Sequence, residues 1–208
     1  METSGSMRRD TYEHLLERLD AFEHQIKSEE FRKTTRTTNT VNYWVFDYDP
    51  RQELTVRDRI RYLQKKNTEM LDGFQLHVID LYDQIIGHLE ENGYLQQCEQ
   101  LEQRGLDYLI TAVKNTLQIT GSSNVLMKRI TEIVPEKGDH IILLTGVGKC
   151  FPLLQGTEIF NQVLYNLPEE YNRTPVILFY PGTYTEQELI VFNECVEDNY
   201  YRAYRIAR

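Results

Sequence analysis

The sequence has few cysteines and no long apolar run. Its 208 residues contain three cysteines, Cys98, Cys150 and Cys195, which lie far apart in the chain. Three widely spaced thiols form neither a disulfide framework nor a zinc-binding pattern, so we expect reduced thiols and a cytoplasmic location. No segment approaches the roughly 18 apolar residues that a membrane-spanning helix requires. We therefore expect no membrane span and no secretory signal.

Basic residues are also scarce relative to acidic ones. The chain has 23 Lys and Arg residues against 32 Asp and Glu residues, which gives a net charge of -9 and a pI near 5.1. Broad electrostatic capture of a nucleic-acid backbone requires a surplus of Lys and Arg. We therefore do not expect direct nucleic-acid binding, although a local basic patch is compatible with this composition. The fractions of apolar and charged residues, 40% and 26%, are those of an ordinary globular protein.

Short apolar segments alternate with amphipathic ones along most of the chain. Alternation of this kind predicts an α/β fold, a three-layer sandwich around a mainly parallel sheet, either Rossmann-like or like a degenerate P-loop domain. Additional helices are expected in the N-terminal and central segments. The predicted strands are 41–46, 74–81, 140–145, 175–180 and 202–206, and the later helices are 94–104, 106–117, 124–134, 153–167 and 186–196.

One domain is expected over residues 7–208, because a chain of this length can bury a single sizeable core. Residues 1–6, M-E-T-S-G-S, are interpreted as a cloning remnant ahead of Met7. A helix over 10–33 has apolar residues at helical spacing, so it packs either on the core or at the periphery against a partner. Residues 106–117 give the clearest amphipathic pattern, with Leu106, Leu109, Ile110, Val113 and Leu117 predicted to face inward.

A glycine loop follows the strand predicted over 140–145. Gly146, Gly148 and Lys149 occur where phosphate-binding loops often begin. A Walker A loop, however, requires Gly five positions before its Gly-Lys pair and Ser or Thr after the Lys, and this chain has Leu143 and Cys150 there. We interpret the glycines as a sharp turn into a helix opened by Pro152. Weak binding of an anion or nucleotide by these three residues is the alternative.

Acidic residues follow two of the predicted strands. Asp47 and Asp49 follow the first, and Asp80 and Asp83 follow the second. Carboxylates at the carboxyl ends of parallel strands can bind magnesium, as in a nuclease. Asp is equally common in turns and at helix N-caps, and we favour that structural interpretation.

Histidine spacing does not match a metal site. The five histidines lie at positions 14, 24, 77, 88 and 140. His77 and His140 fall within predicted strands, so we predict that they are packed or hydrogen-bonded. We expect no catalytic residue, no metal and no cofactor.

The C-terminal segment interleaves tyrosine and arginine. Tyr200, Tyr201, Arg202, Tyr204 and Arg205 are predicted to form an interaction surface, because both residue types are favoured at protein interfaces. The same pattern can stack nucleic-acid bases, or it can belong to an edge strand with solvated arginines.

Three segments in order resemble the BrxB family. They are L-L-T-G-V-G-K-C-F-P, P-V-I-L-F-Y-P-G-T-Y and D-N-Y-Y-R-A-Y-R, and weaker similarity continues through V-F-D-Y-D-P-R and R-G-L-D-Y-L. The family is a small component of BREX, the bacteriophage-exclusion systems of bacteria. The resemblance implies a bacterial cytoplasmic defence subunit without an established chemistry.

The resemblance further implies that this chain binds other BREX proteins. The methyltransferase, the large ATPase and the alkaline-phosphatase-like PglZ protein of these systems are separate chains. We therefore expect a non-catalytic adaptor or scaffold whose favoured partner is the PglZ-like protein, followed by the methyltransferase or the large ATPase. The alternative is a degenerate nucleotide-binding protein or a magnesium-dependent nuclease-type enzyme acting on DNA.

Overall fold

The computed structural model describes residues 11–37, 42–121, 123–185, 188–198 and 203–207. Helices and strands occupy most of these residues. The helices are α1 (Tyr12–Lys27), α2 (Glu29–Thr37), α3 (Glu53–Lys66), α4 (Glu69–Asp72), α5 (Leu81–Glu91), α6 (Leu95–Glu102), α7 (Leu106–Leu117), α8 (Val125–Ile133), α9 (Val147–Cys150) and α10 (Gly156–Glu158). The strands are β1 (Tyr43–Tyr48), β2 (Gln75–Asp80), β3 (His140–Thr145), β4 (Val176–Tyr184), β5 (Glu188–Val191), β6 (Cys195–Asp198) and β7 (Tyr204–Arg205).

The strands form one mainly parallel sheet with the order β2-β3-β4-β1-β7. Strands β5 and β6 extend this sheet from the end of β4 as an antiparallel hairpin. Helices cover both faces of the parallel part, so the predicted three-layer α/β fold is confirmed. Among the described residues, no helix combines the length and the apolar character needed to cross a membrane.

The central strands are apolar on both faces because both faces are covered. In β3, Ile142 and Leu144 pack with α5, α7 and α8, whereas Ile141 and Leu143 pack with α1 and α3. Side chains of consecutive strand residues point to opposite faces, so an uninterrupted apolar run requires two cores. This explains why β3 reads as a continuous apolar segment.

Helix α1 is a layer of the fold and not a peripheral addition. Leu15, Leu19, Phe22 and Ile26 are buried at a spacing of three or four residues. The Phe22 ring packs edge-on against two sheet residues, with centroids 5.6 Å from Phe46 and 5.3 Å from Phe179. The helix breaks at Ser28, so the single helix predicted over 10–33 is two helices.

The predicted helix over 186–196 is wrong, because β5 and β6 form a hairpin there. Leu189 and Val191 are buried two positions apart, which is the period of a strand. Phe192 and Asn193 turn the chain with φ angles of 53° and 60°. Strand β4 continues to Tyr184, beyond the end predicted at Tyr180. Its pairing with β5 requires glycine at position 182, because a Cβ there would lie 2.0 Å from the carbonyl oxygen of Ile190.

Two other helix predictions are corrected in part. The helix predicted over 153–167 begins only at Gly156, widens into a π-helical turn over Ile159–Val163 and ends in a 3-10 turn over Leu164–Asn166. In α7, Val113 and Leu117 are buried as predicted, but 57% of Leu106 is exposed. Helix α7 also packs on α6, which has no buried residue of its own.

A buried ion cluster centred on Asp47 joins four elements. Asp47, at the end of β1, binds Arg18 of α1 at 2.9 Å and Arg205 of β7 at 2.8 Å. It also accepts a hydrogen bond from the backbone N–H of Tyr184 in β4, at 3.1 Å. Arg18 donates a further bond to the carbonyl of Ala207. The carboxylate is therefore fully engaged inside the protein.

We predict that Asp47→Ala destabilises the fold severely. Only 5% of Arg18 is exposed, so the substitution leaves a buried guanidinium without its carboxylate. Breaking a buried pair from one side costs about 3–5 kcal/mol. The free energy of unfolding, measured in urea, should fall by this amount.

The matched control is Glu132→Ala, which breaks an ion pair with Lys128 whose side chains are 61% and 75% exposed. Exposed pairs contribute less than about 1 kcal/mol. Equal urea midpoints for Asp47→Ala and Glu132→Ala would show that the buried cluster does not hold the elements together.

Candidate functional site

A cleft of about 300 Å³ opens at the carboxyl end of the sheet. Ligands of open α/β sheets commonly bind in a crevice outside the carboxyl ends of the strands. Here α3 follows β1 onto one face, and α5 follows β2 onto the other. The cleft is lined by Tyr48, Glu53, Val56, Arg57, Ile60, Arg61, Gln64, Val78, Asp80, Asp83, Gln84, Thr145, Gly146, Lys149 and Phe179.

The glycine loop at this cleft is a turn of one residue. Gly146 follows β3 with φ +77°, and α9 begins at the next residue. Gly148 and Lys149 therefore lie within the helical turn and not in an open loop. Pro152 does not open a helix, because α9 has already ended at Cys150. The backbone N–H groups that surround phosphates in a P-loop need a longer loop than this one.

Lys149 pairs with two aspartates. Its Nζ lies 2.7 Å from Asp80 and 3.0 Å from Asp83. Asp80 also caps α5, because its side chain accepts a bond from the N–H of Asp83 at 3.2 Å. Burial acts to lower the pKa of Lys149, but the hydrogen bonds and charges of the two carboxylates outweigh it and raise that pKa. The ammonium is thus held in its charged form and is already neutralised.

The Asp80 carboxylate lies directly over Gly146. A Cβ placed on Gly146 would lie 2.2 Å from the Asp80 Oδ1 atom. The space beside the glycine turn, where a bound anion would have to approach, is therefore filled by a negative charge. This geometry favours the structural interpretation of Gly146, Gly148 and Lys149. Binding of an anion there stays a prediction.

The two pairs of carboxylates considered for a nuclease, Asp47 with Asp49 and Asp80 with Asp83, lie apart from each other. Asp47 and Asp80 end strands that are separated by two others in the sheet, which is a distance of about 14 Å. Asp47 is enclosed by arginines, and Asp49 binds Arg51. Within the described ranges, no group of three or more His, Cys, Asp or Glu side chains could hold a metal ion.

Cys150 lies beside the cleft as a buried core thiol. It has no exposed surface, and burial together with the Asp80 charge raises its pKa to about 12. A thiol is nucleophilic only as the thiolate. Cys150 is therefore not activated as a nucleophile in this fold.

His77 and His140 form a buried pair between β2 and β3. The Nε2 atom of His140 lies 2.8 Å from the carbonyl oxygen of Lys137. A carbonyl only accepts, so Nε2 carries the proton and Nδ1 of neutral His140 accepts from His77 Nε2 at 3.1 Å. Burial, and then the neighbouring His140, lower the pKa of His77. The two histidines are hydrogen-bonded within the fold, as predicted.

The predicted C-terminal surface is only partly described. Tyr200, Tyr201 and Arg202 lie outside the described residues. Tyr204 is 51% exposed, and its ring packs 5.3 Å from that of Trp44. Arg205 has a structural role in the Asp47 cluster, which the tyrosine–arginine pattern did not indicate.

The sequence interpretation missed a more exposed apolar pair. Met70 and Leu71 are 90% and 83% exposed, more than any other large apolar side chain that the structure describes. They form part of the polar segment K-K-N-T-E-M-L-D-G at 65–73. Two adjacent apolar residues without a periodic partner are a weak signal, and only the structure shows that neither is covered.

Comparison with known proteins identifies relatives over most of the chain. The profile of a family described as BrxB, BREX protein BrxB, matches residues 77–206. The BREX protein BrxB of Bacillus cereus (strain H3081.97) is 36% identical over 193 residues, covering 91% of this chain and 96% of the relative. The BREX protein BrxB of Escherichia coli O9:H4 (strain HS) is 29% identical over 194 residues, with coverages of 91% and 90%. No solved structure matches the chain significantly.

We predict that Gly146→Ala destabilises the protein by more than backbone strain alone. The φ of +77° disfavours any L side chain, and the new Cβ would collide with Asp80. Gly93→Ala is the matched control, because Gly93 has φ +69° and nothing within 4 Å of a Cβ. The control should lose about 1–2 kcal/mol of unfolding free energy, and Gly146→Ala clearly more. Equal losses would contradict the close placement of Asp80.

The histidine pair predicts a loss of stability on mild acidification. Because the pKa of His77 is lowered in the folded state, the unfolded chain takes up a proton first as the pH falls through about 6.5. The free energy of unfolding should therefore decrease below that pH. His77→Gln removes this titration and should flatten the decrease, as measured by urea unfolding from pH 7.5 to 5. An unchanged slope in His77→Gln would contradict the assignment.

Proposed function

The chain belongs to the BrxB family of BREX proteins, and from this membership we propose that it is a non-catalytic adaptor of a BREX defence system. In this role it binds other BREX proteins and holds them in one assembly. The PglZ-like protein is the partner we favour, followed by the methyltransferase and the large ATPase. The proposal has two parts: this chain has no catalytic activity, and it acts by binding partner proteins.

The observation that carries the non-catalytic part is the occupied space beside the glycine turn. The one lysine beside the glycine turn is paired with Asp80 and Asp83, and Asp80 fills the space over Gly146. A magnesium nucleotide would have to break both ion pairs and displace a carboxylate that also caps α5. The loss of these contacts would oppose nucleotide binding at this turn, which supports the proposed absence of nucleotide chemistry.

The adaptor part is supported by the sheet and by what lies exposed around it. Two buried cores hold the helices on both faces of the sheet, and the Asp47 cluster fixes α1 and the C-terminal segment to it. A rigid body of this kind loses little conformational entropy on binding, which favours affinity. Several large apolar side chains remain exposed on its helices, and side chains of this type form the centres of protein interfaces.

The test is recovery of partners from cells that carry the complete BREX gene cluster. Tagged full-length chain should recover one BREX subunit in stable, near-stoichiometric amount, and the PglZ-like protein is expected. The purified chain should show no rise in melting temperature with ATP and Mg²⁺, and Lys149→Ala should behave in the same way.

Two results would contradict the proposal separately. Recovery of no BREX subunit would exclude the adaptor role. A metal-dependent release of phosphate from ATP that is lost in Lys149→Ala, or manganese-dependent plasmid nicking lost in Asp80→Asn, would instead establish an enzyme.

A further inference from the structure

The turn that carries Met70 and Leu71 is held rigidly by polar bonds. The Asn67 side chain donates to Asp72 at 3.0 Å and accepts from the N–H of Leu76 at 2.8 Å. Asp72 also accepts from the N–H of Thr68 at 3.0 Å. The segment is thus tied to β2 at one end and closed on itself at the other. Its shape does not depend on burial of its apolar side chains.

Contacts with α1 and α2 fix the turn from its other side. Lys27 lies 3.6 Å from the Asp72 carboxylate, and Arg32 donates to the carbonyl of Gly73 at 3.1 Å. Gly73 itself has φ +73°, and a Cβ there would lie 2.7 Å from Arg32. The two almost fully exposed apolar side chains, Met70 and Leu71, therefore project from a turn whose backbone is already ordered. Because the backbone of the turn is already ordered, binding through this pair requires little further ordering of the main chain.

The helix that leads into this turn is strongly basic in an acidic protein. Residues 57–66 contain five Lys and Arg residues and a single acidic residue, Asp58, whereas the whole chain has a net charge of -9. Arg59 is neutralised by Asp20 and Glu23. Lys66 also lies 3.5 Å from Glu23, and Arg57 lies 4.0 Å from Glu53, so the positive charge that remains available is that of Lys65 and of the weakly paired Arg61. Arg61 pairs with Asp58 at 3.5 Å, and both side chains are more than half exposed, so this pair is weak.

The apolar pair and the basic helix are adjacent. Only Asn67 and Thr68 separate α3 from α4, so Lys65 and Lys66 lie within a few residues of Met70. Tyr62, 48% exposed, adds an aromatic ring that is flanked by the charged groups of Arg59 and Lys66. We call Arg61, Tyr62, Lys65, Met70 and Leu71 the α3–α4 surface.

We propose that the α3–α4 surface is the docking site for an acidic partner protein within the BREX assembly. Met70 and Leu71 enter an apolar pocket of that partner, and Arg61 and Lys65 face carboxylates on its rim. This inference rests on the adaptor function proposed above. The apolar pair decides between acidic macromolecules, because a nucleic acid has the charge but offers no apolar pocket for two such side chains.

The test compares matched variants of the full-length chain for binding to the BREX subunit that the wild type recovers. Met70→Gln with Leu71→Gln should weaken the equilibrium affinity about tenfold or more, because central apolar anchors dominate interface energies. The melting temperature should not change, since neither side chain is buried. The control is Leu106→Gln with Tyr108→Gln on α7, where two side chains are 57% and 48% exposed. It should bind as the wild type does.

A second variant tests the contribution of the charged residues Arg61 and Lys65 to binding. Arg61→Glu with Lys65→Glu should slow association, and the binding rate should lose most of its dependence on salt concentration. Wild-type affinity in both the apolar and the charge variants, while the subunit is still recovered, overturns the α3–α4 surface and leaves the adaptor function standing. Loss of binding in the α7 control alone also overturns it and moves the site to α7.

Other occupants give different results. Dimerisation of the purified chain that is abolished by the Met70 and Leu71 substitutions would identify a second copy as the occupant and overturn the proposal. A DNA gel shift that the charge variant abolishes, while the apolar variant keeps it, would also overturn the proposal in favour of nucleic acid. If the wild type recovers no BREX subunit at all, the adaptor function fails, and this docking site fails with it.

Discussion

The buried carboxylate of Asp47 is the interaction on which the arrangement of the outer elements depends. The parallel strands are held by their ladder and by two apolar cores, but β7 pairs with β1 through only two residues. Arg205, one of those two, and Arg18 of α1 converge on Asp47. One carboxylate thereby fixes the edge of the sheet, the N-terminal helix and the end of β4. Because two guanidinium groups and a backbone N–H surround it, the group is structural and has no capacity left for a metal.

A second electrostatic cluster, at the carboxyl end of the sheet, determines what the cleft can do. Lys149, Asp80 and Asp83 form a closed set in which one cation faces two anions. The same cluster explains why Gly146 must be glycine, since the Asp80 carboxylate lies against its Cα. A glycine and a lysine in this spacing therefore have a structural explanation that involves no ligand. The family relationship shows a BREX component, and the occupied space beside Gly146 supports the non-catalytic role that we propose for it.

The sequence predicted the parallel strands well, but it did not predict the β5–β6 hairpin, the Asp47 cluster or the exposure of Met70. Strand β3 was predicted at its observed bounds, because an uninterrupted apolar run between polar turns has few other interpretations. The helix predicted over 186–196 is instead the hairpin of β5 and β6, whose turn at Phe192 and Asn193 contains no glycine to mark it in the sequence. The Asp47 cluster joins residues 18, 47 and 205, and only folding brings such distant positions together. The exposure of Met70 likewise depends on tertiary packing.

The apolar residues of this chain fall into two groups, those that are buried in the cores and those that remain exposed on the surface. The amphipathic pattern of α7 predicts burial of Leu106, yet the fully buried residues of this helix are Val113 and Leu117, and Leu106 at its first position stays exposed. At Met70 and Leu71, by contrast, no helical period calls for burial, and a polar network holds the turn without using either side chain. An apolar side chain that contributes nothing to folding yet stands on a rigid base costs solubility. Covering both side chains with another surface would offset this cost, and the docking site that we propose rests on this argument together with the neighbouring basic residues.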